Sequence, residues 1–304
     1  MPSGARRLHD WTMGEAKRLV LPPGPGGEGL DGSIYFVGTA TVILRYAGFT
    51  ILTDPTFLHA GDHVHLGFGV TSTRRTNPAI ELDALPPIDL VLLSHLHEDH
   101  FDSVVAAKLD RSLPIITTPH AARGLRKLGF VAPCPLSTWQ SIDVEKGASR
   151  LRLTSTPGRH GPPLVALALP PVMGTLLELQ RPDEARSLRI YISGDTLVYD
   201  EIREIPVRFP DIDLALIHLG GTRIFGVLLT MDAKQGVEAI RIVDPAMAIP
   251  IHYDDYAVLK SSIGDFLTAV SAAGLGEKVK YLQRGETYRF DAASLHGGRQ
   301  SPEK

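Results

Sequence analysis

Ser94-His95-Leu96-His97-Glu98-Asp99-His100 is the stretch that decides how the rest of the chain is read. Before it runs Ile88-Asp89-Leu90-Val91-Leu92-Leu93, an apolar run with the length of a buried strand. After it, Phe101 to Leu109 has the pattern of a helix, with Asp102 or Ser103 near its cap. Three imidazoles and a carboxylate therefore sit on the turn between a strand and a helix. His95 and His97 are two apart, so in extended chain they point the same way and can hold one metal ion. Asp99 and His100 lie where the chain turns into the helix and can face a second ion. Imidazole nitrogen and carboxylate oxygen are the ligands of catalytic zinc. With no thiolate in the stretch, Mn and Fe are also compatible.

A polar loop whose histidines bond only to backbone and water would carry the same letters, so the rest of the ligand set matters. Thr156-Pro157-Gly158-Arg159-His160-Gly161 places a His just after the strand-like Leu151-Arg152-Leu153-Thr154. Tyr191-Ile192-Ser193-Gly194-Asp195-Thr196 places an Asp after another strand, and Ile249-Pro250-Ile251-His252-Tyr253 places a His after a third. Alone, each would be an ordinary structural residue. Four such stretches in one chain are hard to explain as core chemistry, because unpaired charged and imidazole groups are costly to bury.

In this order the motifs resemble the metallo-β-lactamase-fold metallohydrolases. Gly38-Thr39-Ala40-Thr41-Val42, Leu52-Thr53-Asp54-Pro55, Leu85-Pro86-Pro87-Ile88-Asp89, Met231-Asp232 and Pro250-Ile251-His252-Tyr253 are similar to the branch that includes N-acyl-phosphatidylethanolamine phospholipase D and ascorbate-6-phosphate lactonase-like proteins. The resemblance runs from about Ser33 to Phe290. It implies an α/β fold, the αββα sandwich, with two mixed β-sheets flanked by helices and metals at one sheet edge. It implies that His95, His97 and His160 hold a first divalent ion and Asp99, His100 and His252 a second, with Asp195 bridging the pair. Zn is the first expectation for both ions. A metal-bridging hydroxide would then attack an ester, with Asp99 also accepting a proton. Asp54 is expected as a carboxylate that orients the ligands. The family passes quickly from Gly220-Gly221 to Met231-Asp232; here Ile224 to Leu229 adds apolar residues that could form a wall.

The remaining composition is that of a globular protein: 43% hydrophobic and 21% charged residues over 304 positions. A net charge of −3 leaves no basic footprint for nucleic acid. No run is long enough to span a membrane or to serve as a signal peptide. The single Cys134 can form no internal disulfide, which points to a cytoplasmic setting. Residues 1–32 read as an N-terminal arm and Pro/Gly linker, 33–290 as the hydrolase domain, and 291–304 as a loose tail.

Three further features bear on function. The segment 57–79 is a long irregular loop carrying His63 and His65, expected at the site entrance, and Arg74 and Arg75, which could attract an anionic substrate. Arg223 and Tyr253 are candidate substrate contacts. Pro87 to His95 is echoed by Asp211 to His218, which hints at two similar halves; His218, inside an apolar strand end, reads as a core or ligand-supporting residue rather than a ligand. Tyr256 to Ala273 reads as one amphipathic helix. The function expected is hydrolysis of a phosphodiester or related ester on a small-molecule or lipid-like substrate. The alternatives are a lactonase on the same site and, from another class, a non-catalytic metabolite sensor. A homo-oligomer is compatible with all three.

Overall fold

The computed structural model describes residues 17–23, 32–67 and 69–297. Two seven-stranded mixed sheets face each other. In spatial order the first holds Lys17–Leu21, Ser141–Lys146, Ser149–Thr156, Gly174–Gln180, Leu188–Ile192, Leu214–His218 and Met247–Ile251. The second holds Thr287–Phe290, Gly32–Gly38, Thr41–Tyr46, Phe49–Thr53, Leu90–Leu92, Ile115–Thr117 and Pro133–Pro135. Helices Ala233–Val243 and Ile263–Ala272 cover part of the first sheet, with Val237, Ile240, Phe266 and Val270 in the main core. Helices Ser103–Lys108 and Pro119–Lys127 cover the second through Val105, Ala121 and Leu125. This is the αββα sandwich of the metallo-β-lactamase fold.

The burial patterns follow the layers. Ser149–Thr156 begins by alternating, with Leu151 and Leu153 buried and Arg150 and Arg152 exposed, because its outer face meets solvent. Leu214–His218 is covered on both faces and is buried throughout. The two echoing segments occupy equivalent places. Leu90–Leu92 runs parallel between Phe49–Thr53 and Ile115–Thr117, and Leu214–His218 runs parallel between Leu188–Ile192 and Met247–Ile251. Their leading aspartates do the same job: Asp89 accepts from the Thr50 N–H, and Asp213 from the Arg189 N–H, each at 2.8 Å.

Three elements differ from the sequence reading. Lys17–Leu21, read as part of the arm, pairs in parallel with Ile142–Lys146 as an edge strand of the first sheet. Residues 1–16 and 24–31 of the arm and linker, and 298–304 of the tail, lie outside the described residues, whereas Ala292–Gly297 at the start of the tail is helical. The helix expected from Tyr256 starts only at Ile263. Ser262 caps it, accepting from the Asp265 N–H while the Asp265 carboxylate accepts from the Ser262 N–H. Before the cap, Tyr256 is fully buried beside Leu58, Val64, Leu66 and Leu259 under the 57–79 segment. Among the described residues no helix is long and apolar enough to cross a membrane.

Candidate metal centre

Strand ends place every candidate ligand on one edge of the sandwich. The turn carrying His95, His97, Asp99 and His100 follows Leu90–Leu92; His160 follows Ser149–Thr156, Asp195 follows Leu188–Ile192 and His252 follows Met247–Ile251. The structure gathers them into two groups. One ligand atom each from His95, His97 and His160 lie within 4.8 Å of one another, and so do those from Asp99, His100, Asp195 and His252. All seven are buried except His97, which is partly open.

Hydrogen bonds decide which nitrogen each imidazole offers. His160 Nδ1 donates to the Leu229 carbonyl at 3.0 Å, and His252 Nδ1 to the Leu219 carbonyl at 3.1 Å. His95 Nδ1 sits 3.0 Å from Ser94 Oγ. His100 Nδ1 lies 3.3 Å from Asp54 Oδ2. In each ring this leaves Nε2 for the centre, and His95 Nε2 meets His97 Nδ1 at 2.9 Å.

Asp54 holds this arrangement from behind. Its Oδ1 accepts from the Ser94 N–H at 2.7 Å, and its Oδ2 lies 3.3 Å from both His100 Nδ1 and His218 Nε2. Asp54, His100 and His218 thus form a third close group. His100 already turns its other nitrogen to Asp195, at 3.2 Å. The group is therefore a buried hydrogen-bond relay that orients His100, and His218 supports the ligands without joining them.

Charge in the site is arranged for a cation. Burial drives the His95 imidazole well below its ordinary value, aided by His100 and His97, and brings His97 down to about 4; burial also lowers His160. These three rings are neutral at pH 7 and so able to donate to a cation. Burial would raise the Asp195 carboxyl, but His252 and His100 hold it well below the usual carboxylate range. Burial opposes charge on His100 too, yet Asp195, Asp54 and Asp99 push it well above the usual histidine range. Asp99 Oδ1, His100 Nε2, Asp195 Oδ1 and His252 Nε2 are buried without a hydrogen-bond partner. Each such atom costs about 1–3 kcal/mol if left so. Divalent ions among these N and O donors would satisfy them, so the residues fit the metal that the motif implies.

A pH dependence follows. His100 and His252 are both raised, so protons compete with metal in their group, whereas the first triad is already neutral. On dialysis from pH 7.5 to about pH 5.5, bound metal is expected to leave the Asp99–His100–His252 group first. Metal content per chain at each pH is the measurement, and loss in the opposite order contradicts this charge arrangement.

Backbone conformation at the site is constrained. His252 sits at φ 60° and Asp54 at φ 31°, left-handed values that are costly for residues other than glycine. Gly194, at φ 63°, places Asp195; a Cβ there would lie 2.5 Å from the Met173 carbonyl oxygen. Gly194→Ala is expected to cost at least about 2 kcal/mol in chemical denaturation. A neutral result would mean that the turn can shift freely.

The other candidates fall outside the ligand groups. His63 and His65 lie on a small hairpin with Thr71–Thr73, and both are exposed. His65 is bonded to Glu98 through its N–H and its ring. Tyr253, expected as a substrate contact, is a core residue whose hydroxyl donates to the Leu282 carbonyl at 3.1 Å. Arg223 is turned to the Gly226 carbonyl and to Asp232. Arg74, expected to attract an anion, is instead buried, with its guanidinium over the Tyr256 ring.

Asp255 was not singled out in the sequence. It is buried and accepts from the Thr39 N–H, Thr76 Oγ1 and Arg284, tying the entrance segment to the loop that carries Thr39. The Thr39 carbonyl in turn accepts from the His252 N–H at 2.6 Å. Nothing periodic marks Asp255, and its partners are far away in sequence.

The site opens into a narrow cavity, with about 10 Å³ of room for water, lined by Leu66, His97, Asp99, His160, Leu169, Asp195, Thr222, Ile224 and Leu229. Ile224 belongs to the short hairpin Arg223–Ile224/Val227–Leu228, so the added apolar stretch does form part of a wall.

Comparison with known proteins agrees with this geometry. A UPF0173 metal-dependent hydrolase of Archaeoglobus fulgidus is 26% identical over 219 residues, covering 67% of this chain and 82% of the relative. Another, of Polynucleobacter asymbioticus, is 27% identical over 292 residues, covering 88% and 89%. Among solved structures, isothiocyanate hydrolase from Delia radicum gut bacteria superposes with a TM-score of 0.71 at 20% identity, over 85% of this chain and 99% of that one. A metallo hydrolase from Ignicoccus hospitalis gives 0.61 at 21% identity, over 86% and 98%. The model of the beta-lactamase superfamily domain matches residues 50–253, two-thirds of the length and all seven candidate ligands but none of the edge strand Lys17–Leu21, and on this match the chain belongs to the beta-lactamase superfamily domain family.

Proposed function

We propose that the protein is a dinuclear metal-dependent hydrolase of an uncharged carboxylic ester, with lactones as the leading class. Its relatives are named metal-dependent hydrolases, and its buried donor set suits divalent ions. The observation that carries the choice of substrate is the cavity lining: four apolar residues and one Thr beside the ligands, with no Lys or Arg. The ions would receive the charge of a reacting phosphodiester, but charge carried elsewhere on the substrate would meet no cationic side chain on the cavity, and the apolar lining favours an uncharged ester. The burial of Arg74 removes a group that would have favoured the phosphodiester.

His95, His97 and His160 would hold one ion and Asp99, His100 and His252 the other, with Asp195 between them; ions held this way polarise an ester carbonyl and activate water near neutral pH. Asp99 faces the cavity, and His100 helps hold its carboxyl below the usual range against burial. It is therefore ionised and placed to take a proton from the attacking water and return it to the departing alkoxide. Leu66, Leu169, Ile224 and Leu229 seat the uncharged remainder of the ester and keep bulk water out. Asp54 and His218 hold His100 in one orientation throughout.

The test sets a chromogenic lactone beside a chromogenic phosphodiester, on metal-stripped protein reloaded separately with Zn and Mn, with Asp195→Asn as the blank. Faster lactone hydrolysis is expected. Preference for the phosphodiester would reverse the choice of substrate, and activity that survives metal stripping would sink the mechanism. Inactivity on both with two metals bound would favour the metabolite sensor.

A further inference from the structure

The second donor group rests on a turn that its own ligands do not hold. His252 takes φ 60°, and two nearby residues share the left-handed region without being glycine: Asp254 at φ 58° and Thr39 at φ 51°. Thr39 stands out among them, because a β-branched residue is rare there. Such conformations persist only where the surroundings over-determine them. Here the surroundings converge on one carboxylate, that of Asp255, which is 1% exposed.

Thr39 lies between Asp255 and His252. Its N–H donates to Asp255 Oδ2, and its carbonyl accepts from the His252 N–H at 2.6 Å. Asp255 is fixed by groups other than Thr39. Thr76 Oγ1 and Arg284 both donate to its Oδ1, the latter at 2.8 Å, and its carbonyl accepts from the Arg75 N–H at 2.7 Å. Arg284 packs in turn over Gly38, where a Cβ would lie 3.2 Å from its Cδ. Asp255 can therefore hold Thr39 in place, and Thr39 the backbone of His252. The ring of His252 is oriented separately, by the bond from Nδ1 to the Leu219 carbonyl, and Nε2 is buried without a hydrogen-bond partner. Relaxing φ at His252 would carry Nε2 away from Asp99 Oδ2, from which it is 3.6 Å. The match to the beta-lactamase superfamily domain covers residues 50–253, so Thr39 and Asp255 both lie outside it.

We infer that Asp255 is a positioning residue for the second metal site: acting through Thr39, it holds the His252 turn in the conformation that presents Nε2 to the ion. The inference rests on the two-ion reading proposed above and deepens it.

Zinc titration of the full-length protein, labelled with heavy nitrogen in its histidines, tests it without turnover, because each ring nitrogen reports its own coordination by NMR. The His252 signal is assigned by its absence in His252→Gln. In Asp255→Ala, the free zinc that half-saturates His252 Nε2 is expected to rise about 10–100-fold, and that for His95 and His160 by about threefold or less. Asp255→Asn keeps an acceptor for the Thr39 N–H but loses the charge that faces Arg284. A smaller rise, about three- to tenfold and again confined to the second group, is expected there, and it serves as the measure should alanine unfold the chain. Asp213→Ala is the control. Asp213 is as buried as Asp255 and also accepts a backbone N–H, from Arg189, but it precedes the strand whose far end carries His218. Its loss is expected to lower the urea midpoint without separating the two groups. Equal weakening of all the rings, no weakening, or the same separation in Asp213→Ala overturns the inference, since a merely structural carboxylate gives each of these. A His252 signal that zinc never moves in the unsubstituted protein rejects the two-ion reading and the inference with it. Selective weakening in a protein that hydrolyses no ester upholds the positioning role and rejects only the hydrolysis.

Discussion

Replacing Asp195 with Asn is expected to lower kcat/KM at least about 1000-fold, or about 4 kcal/mol of transition-state stabilisation. The change nearly preserves shape and removes one charge. Asp195 is 2% exposed, with Oδ2 3.2 Å from His100 Nε2 and Oδ1 3.4 Å from His252 Nδ1, and Oδ1 has no hydrogen-bond partner. It belongs to the Asp99–His100–Asp195–His252 group, and in the proposed arrangement it also reaches the ion of the other triad, so a neutral amide there is expected to weaken both. Metal content is expected to fall to one ion or fewer per chain, while circular dichroism stays native. His97→Ala, at the partly open corner of the first triad, is expected to abolish metal-dependent hydrolysis as well. If Asp195→Asn kept two ions and full activity, Asp195 would not lie between them.

The gathering of the seven candidate ligands was legible because His160, Asp195 and His252 each follow a strand beside Gly or Pro, while His95, His97, Asp99 and His100 share one turn after an apolar strand. The sandwich was implied by the family resemblance that these motifs carry, and in the structure the strand ends that bear the candidate ligands do share one edge. His218 shows the limit of residue type alone. It has the same strand-end setting as His95, and only its bonds to Ser193 and Asp54 explain its supporting role. Arg74 reads as exposed because a guanidinium in a loop usually is; its burial depends on Tyr256, 182 residues away. Lys17–Leu21 was missed for a related reason. Five residues without an adjoining turn gain a partner only across more than 100 positions, in parallel with Ile142–Lys146. Pairing at that range leaves no periodic trace. The delayed start at Ile263 was in principle readable, because Ser262 and Asp265 have capping-box spacing. The apolar periodicity upstream of Ser262 belongs instead to a loop that buries Tyr256 and Leu259.

Asp54→Ala is expected to destabilise the metal-free protein by about 3–5 kcal/mol, and Asp54→Asn by about half that or less. Two features separate the two variants, and a third is common to both. First, the carboxylate accepts from the Ser94 N–H at 2.7 Å and faces His100 and His218. Alanine leaves these buried groups without an acceptor, whereas the Asn side-chain oxygen retains one. Second, φ is 31° at residue 54, a region that Asn visits more readily than Ala. Third, both variants lose the negative charge. Burial would raise the Asp54 carboxyl, but His100 and His218 lower it to about 2, below the usual carboxylate range. A lowered carboxylate stabilises the fold fully above its unfolded value and loses that contribution as pH falls toward its folded value. The stability gap between the unsubstituted protein and Asp54→Asn is therefore expected to hold above about pH 5 and narrow between about pH 4 and pH 2. Urea midpoints across that range measure it. Because Asp54 orients a ligand that it does not replace, Asn is also expected to weaken metal binding 10–100-fold without eliminating it. Unchanged metal affinity in Asp54→Asn would leave Asp54 only the task of fixing the backbone of the turn, and would move the orientation of His100 to Asp195 alone.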